Sequence, residues 1–191
     1  MIKWIYDLLR VVLRPIYNYK VLGQERLPEG GCVVCANHTA NIDSALLLLA
    51  LDTTEIVSVA KAELFENRLV SWFLRKMGAV PIRRGKRDMS AVRAAVDALR
   101  SGKKVMIFPE GTRVKTGADI GGKTGAAMLA SHANVPIVPV YITAGKKAFR
   151  RCQIVFGHAV QPLCERGHDA YRRVTEQVME QIRKLGTEAE T

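Results

Sequence analysis

Long apolar stretches are missing from this chain. The longest uninterrupted one covers residues 45–51, far short of the roughly 20 residues an α-helix needs to cross a bilayer. A spanning helix is therefore not expected. Aromatic residues make up only 6% of the sequence, and none interleaves the basic run at residues 83–87. That leaves no stacking platform for single-stranded nucleic acid, which is not expected as a partner. Acidic residues are also scarce: 18 Asp and Glu against 29 Lys and Arg leave a formal net charge of +11. Such an excess concentrates anionic partners such as anionic lipid or phosphorylated metabolites, although a solvated basic face would have the same composition.

Cysteine is sparse as well. Cys32 and Cys35 make a C-x-x-C, but they lie in the apolar run Cys32-Val33-Val34-Cys35, which reads as a strand. Residues three apart on a strand point to opposite faces and cannot share one metal. They read as small buried apolar residues of a reducing compartment. Charges at Lys3, Asp7, Arg10 and Arg14 break up any secretory apolar region. No G-x-S-x-G elbow offers a nucleophilic serine, and no side-chain cluster has metal-ligand spacing. Neither a metal nor a cofactor is expected.

What is present begins with the first 16 residues. The same four charges recur at helical spacing and form one narrow polar stripe on an otherwise apolar helix. A wide apolar arc, a mostly basic stripe and interfacial aromatics (Trp4, Tyr6) suit the surface of an anionic membrane. Pro15 is expected to end that helix or to open a second short one.

Further along, apolar runs at residues 20–22, 32–36, 55–60, 79–82, 105–108, 137–142 and 152–156 read as strands. Helical patterns alternate with them: 44–51, 68–77, the stripe Met89, Val92, Val96, Leu99, then 124–132, and the stripe Val174, Val178, Ile182, Leu185. This alternation predicts an α/β fold, a single layered domain with a mostly parallel central sheet flanked by helices. Residues 186–191 are expected to fray.

Three segments could carry chemistry. Asn37-His38-Thr39-Ala40-Asn41-Ile42-Asp43 follows the 32–36 strand. His38 and Asp43 can meet only if the chain bends between them, with Asn41 as the N-cap of the next helix. A carboxylate on one imidazole nitrogen would leave the other free to take a proton from a hydroxyl. Amides at the helix start could favour a developing oxyanion. Arg83 and Arg84, at the end of the 79–82 strand, offer planar forks for a phosphate. Phe108-Pro109-Glu110-Gly111-Thr112-Arg113 sits beyond the carboxyl end of a strand, where ligands of α/β sheets bind. There Gly111 permits close backbone approach, Arg113 adds a cation, and Glu110 either bonds a substrate hydroxyl or holds Arg113. A fourth match, Gly117 to Thr124, has the G-x4-G-K-T form of a nucleotide phosphate loop. No strand runs into its first glycine, so the nucleotide reading is set aside.

In this order the segments resemble the glycerolipid acyltransferase family, and within it the bacterial 1-acylglycerol-3-phosphate acyltransferases. Residues 37–43 are similar to its N-H-x4-D block, 78–84 to its second block, 108–113 to its F-P-E-G-T-R block and 135–140 to its fourth. Residues 61–64 resemble a lysine-bearing stretch between the first two blocks. Residues 123–130 resemble the family's K-x-G-A-x-x-L-A helix, which accounts for the false phosphate loop. One departure is Val114, where many members have Ser.

The resemblance implies transfer of a fatty acyl group from an acyl thioester (acyl-coenzyme A or acyl carrier protein) to a lysophospholipid, giving phosphatidic acid. His38 would be the base and Asp43 its orienting partner. Lys61, Arg83, Arg84, Glu110, Gly111, Thr112 and Arg113 would bind substrate. The chain would divide into a membrane-interface helix, residues 1–18, and an acyltransferase domain, residues 19–191, held peripherally at the cytoplasmic face of the cell membrane. Another lyso-lipid or glycerol 3-phosphate as acceptor stays open, as does a non-enzymatic basic membrane-binding module.

Overall fold

The computed structural model describes residues 3–53, 55–76, 78–82, 89–114, 121–163 and 165–190. Among these residues six α-helices, α1 (Lys3–Tyr17), α2 (Asp43–Leu51), α3 (Arg68–Lys76), α4 (Met89–Arg100), α5 (Gly125–Ala133) and α6 (His168–Glu190), flank seven strands. The strands are β1 (Tyr19–Leu22), β2 (Cys32–Ala36), β3 (Ile56–Lys61), β4 (Ala79–Ile82), β5 (Lys104–Ile107), β6 (Ile137–Ile142) and β7 (Cys152–Phe156). They form one sheet in the order β1-β7-β6-β2-β5-β3-β4. All neighbours are parallel except β6 and β7.

The central strands β2 and β6 are buried along their whole length. This is why they read as unbroken apolar runs rather than as alternating ones: both faces of a parallel sheet are covered. Cys32, Val34 and Ala36 face a core shared with α1 and α2. Val33 and Cys35 face the other core, with α4, α5 and α6. The two cysteines thus lie on opposite sides of the sheet, as their spacing required. Burial pushes the Cys32 thiol up to about 11 and the Cys35 thiol further, so both are inert packing groups.

Three local expectations are corrected. Helix α1 does not stop at Pro15 but continues to Tyr17. The carbonyl deprived of a donor is that of Val11, a residue 71% exposed, so the loss falls on the solvent side. The chain end does not fray at residue 186, because α6 runs to Glu190. Gly186 packs against the Tyr141 ring, and Gln153 Nε2 donates to the Ala189 carbonyl at 3.0 Å, which ties the last turn down. Asn41 is not the N-cap of α2: the residue before the helix is Ile42, and Asn41 is exposed.

The crossovers fix where a site can form. β2 leads through α2, on one face, to β3; β5 leads through α5, on the other face, to β6. The chain therefore departs in opposite directions from the adjacent strands β2 and β5. Such a switch point opens a crevice beyond the carboxyl ends of the two strands.

Candidate active site

Into that crevice β2 delivers His38 and β5 delivers residues 108–114. Asn37 anchors the strand end. Its amide oxygen accepts from the Ile142 N–H at 2.7 Å and its Nδ2 donates to the Ile142 carbonyl at 2.9 Å, so the side chain extends the β2–β6 ladder by one rung. His38 is then gripped through its backbone. Its N–H donates to Glu110 Oε2 at 2.8 Å, and its carbonyl accepts from the Val114 N–H at 2.8 Å. The ring stacks on Phe108 with centroids 4.2 Å apart. Phe108 thus orients the imidazole from the flank.

The chain turns between His38 and α2, and the two side chains meet: His38 Nδ1 is 3.2 Å from Asp43 Oδ2. The same oxygen accepts the N–H groups of Thr39 at 2.7 Å and Ala40 at 2.8 Å. The first residue of the helix thus organises the turn before it, which is why Asn41 has no capping role. It also occupies the amides of Thr39 and Ala40 in that turn. The N–H groups of His38, Thr39, Ala40 and Asp43 are all bonded within the protein.

The sequence alone did not reveal Lys146. Its Nζ lies 2.7 Å from Asp43 Oδ1, and the side chains are 1% and 0% exposed. The ammonium also donates to Thr39 Oγ1 and to the Thr143 carbonyl. In the sequence it sits beside Lys147 after a glycine and reads as one more surface cation; only the placement of β6 beside β2 brings it under the helix start.

The two buried acids respond in opposite ways. Burial alone would raise Asp43, but the His38 hydrogen bond and the Lys146 charge hold its carboxyl below the usual range. Burial dominates at Glu110 and pushes it up to about 7, against the pull of the His38 N–H. The folded protein therefore binds the Glu110 proton more tightly than the unfolded chain does between pH 4.5 and about 7. Stability contributed at this site falls as pH rises through that window, since the native state then carries the extra proton. Asp43 acts below it, its contribution lost only as pH drops under the ordinary carboxylate value of 3.8. Glu110→Gln keeps an acceptor for His38 and is expected to flatten the loss of melting temperature between pH 5 and 7.5. An equally steep loss in the variant would assign the slope elsewhere.

The remaining residues singled out in the sequence are distributed as follows. Gly111 closes a turn onto the Phe108 carbonyl with φ +69°, and a Cβ there would meet the Lys123 side chain at 2.8 Å. Thr112 and Arg113 are exposed beside it. Glu110 bonds His38 rather than Arg113 among the described ion pairs and hydrogen bonds. Val114, in place of a serine, holds the turn with its backbone N–H and buries its side chain. The Lys61 backbone ends β3, paired with Ile82 at the end of β4, so the carboxyl ends of these strands and of β2 and β5 lie along one edge of the sheet. Arg83, Arg84 and residues 117–120 of the phosphate-loop match lie outside the described residues, as does the Lys61 side chain.

Relatives are known for this chain. A family model described as Acyltransferase matches residues 18–143. The chain is 32% identical over 155 residues to a 1-acyl-sn-glycerol-3-phosphate acyltransferase of Bacillus subtilis, covering 79% of this chain and 77% of that one. It is 34% identical over 112 residues to the protein so named in Streptococcus pneumoniae, covering 58% and 41%. The crystal structure of the 1-acyl-sn-glycerophosphate (LPA) acyltransferase PlsC from Thermotoga maritima superposes with a TM-score of 0.76 at 25% identity, over 99% of this chain and 81% of that one. The chain spans less than half the length of the plant chloroplast relatives it also matches, 38% and 37%. The matched span includes the crevice, from the strand before Asn37 to the end of β6, and on that ground the chain belongs to the acyltransferase family.

Proposed function

We propose that this protein moves a fatty acyl group from an acyl thioester to the free hydroxyl of 1-acylglycerol 3-phosphate, giving phosphatidic acid. The observation that carries the reading is the His38–Asp43 contact at the mouth of the β2–β5 crevice, in a chain whose relatives bear that activity in their names. With Nδ1 facing Asp43, Nε2 is the nitrogen left to take the proton of the acceptor hydroxyl. As the O–H bond breaks, the oxygen attacks the thioester carbonyl carbon. The tetrahedral intermediate then collapses, the C–S bond breaks, and the thiol leaves with the proton that His38 held. Asp43 stabilises the imidazolium between the two transfers.

Arg113, beside the crevice, suits the acceptor's phosphate, and Lys61, Arg83 and Arg84 are assigned to it from the sequence. Glu110, Gly111 and Thr112 shape the turn against which that phosphate would lie. In this reaction no metal or cofactor takes part, and the acyl donor is acyl-coenzyme A or acyl carrier protein.

The acceptor resides in a membrane, and the protein would dock peripherally at its cytoplasmic face, with α1 as the segment that meets the anionic surface. Ile5, Tyr6 and Leu13 pack inward, whereas Trp4 (59% exposed), Leu8, Val11 and Val12 project outward. No helix among the described residues is long and apolar enough to cross a bilayer. One experiment tests both parts: vesicles carrying a mixed panel of lyso-lipids and glycerol 3-phosphate, offered with both donors to the wild type and to Trp4→Glu/Leu8→Glu. Mass spectrometry is expected to find phosphatidic acid as the main product of the wild type. The variant is expected to stay folded, leave the vesicles in flotation and lose turnover. A different main product would overturn the acceptor; binding without any product would favour the non-enzymatic module; unchanged flotation would remove α1 as the anchor.

A further inference from the structure

Lys146 is a buried cation that a base and its orienting carboxylate do not obviously need. Its Nζ donates to Thr39 Oγ1 and to the Thr143 carbonyl and lies in ion-pair contact with Asp43 Oδ1, a buried oxygen that no hydrogen-bond donor satisfies. The ammonium is therefore fixed, not a stray surface charge folded inward. Resting on the proposed role of His38, we propose that Lys146 is a positioning residue of the acyl transfer, balancing the Asp43 carboxylate so that it orients the His38 imidazole without drawing a further proton onto it.

The argument is one of charge. Asp43 presents Oδ2 to the imidazole and Oδ1 to the ammonium. Without Lys146, a buried carboxylate with no matching cation would face the ring. It would draw a proton from water onto the imidazole, because an opposite charge at hydrogen-bond distance favours the charged form. An imidazole already protonated cannot serve as base. With Lys146 present the carboxylate is matched before the reaction starts, yet Oδ2 still receives the Nδ1 proton and steadies the imidazolium when it forms.

The other titratable groups near the ring come from every neighbouring element. Glu110 sits on the His38 N–H; Arg113 follows it in the turn after β5, and the Lys123 side chain lies against Gly111 of that turn; the Cys152 thiol of β7 feels both Asp43 and Lys146. Among the described contacts only Lys146 pairs with the oxygen of Asp43 that faces away from His38.

The test is the pH profile of kcat/KM for the full chain in detergent, comparing wild type, Lys146→Met, Lys146→Gln and Lys146→Arg. Losing the charge is expected to move the acid limb upward by about one pH unit. Activity at pH 7 then falls up to about tenfold and recovers by about pH 9. Lys146→Arg is expected to keep the limb where the wild type has it. A neutral variant whose limb stays in place, however slow the enzyme, overturns the proposal. Failure of both neutral variants to fold would also overturn it, assigning the lysine to the fold alone. His38→Ala run in parallel separates the two claims, since a His38→Ala enzyme that keeps its activity refutes the base itself whatever Lys146 does.

Discussion

His38→Ala is expected to lower kcat by about 100-fold or more while the protein stays folded. Nothing in the described crevice can stand in for the lost nitrogen. Glu110, the nearest other acid, is tied to the backbone of residue 38, and Asp43 is closed in by two amides and a lysine. The backbone clamp on residue 38 is formed by its N–H and carbonyl, so it survives the substitution. The stacking on Phe108 and the hydrogen bond to Asp43 Oδ2 go, but that oxygen keeps its two backbone N–H donors, and the ring is partly exposed already, at 16%. Melting temperature should therefore move little, and KM for the acceptor should hold because the cations suited to its phosphate are untouched. Initial rates with a fixed donor, paired with a thermal melt, check this. Activity within a few-fold of wild type would remove His38 from the chemistry.

How much of this was readable beforehand differs by element. Strands β2, β4, β6 and β7 fall where apolar runs place them, and β1, β3 and β5 are displaced or extended by one residue at an end. Apolar continuity is the direct consequence of burial on both faces, so it survives in one dimension. Strand order does not: nothing in residues 152–156 says that β7 returns antiparallel to β6 and carries β1 on its outer edge. The His38–Asp43 pair was legible because five residues with a bend bring the two together locally. Lys146 was not, since its position depends on β6 lying beside β2, a contact between distant parts of the chain. One clue was available: a carboxylate at the start of an apolar helix has two oxygens, and a histidine satisfies only one. Nor can counting residues say that the same carboxylate turns back and takes the amides of Thr39 and Ala40.

Asp43 carries the second large effect, one in which stability and activity fall together. Asp43→Ala removes the acceptor of three hydrogen-bond donors and the partner of a lysine 1% exposed. Breaking a buried pair from one side leaves the other charge uncompensated and costs about 3–5 kcal/mol. Asp43→Asn is no escape. With its oxygen toward Thr39 and Ala40, the new NH2 points at the Lys146 ammonium, donor against donor. Flipped, it opposes two backbone N–H groups and forces the imidazole proton onto Nε2, the nitrogen that must accept. Either orientation is expected to reduce kcat by at least the 100-fold expected of His38→Ala, since the base is then lost in function if not in substance. Denaturant unfolding separates the contributions. Adding Lys146→Met to Asp43→Ala removes the stranded ammonium, and the double variant is expected to recover part of the lost stability without recovering turnover. Strict additivity of the two destabilisations would mean that the carboxylate and the ammonium do not depend on each other, against what their 2.7 Å separation requires.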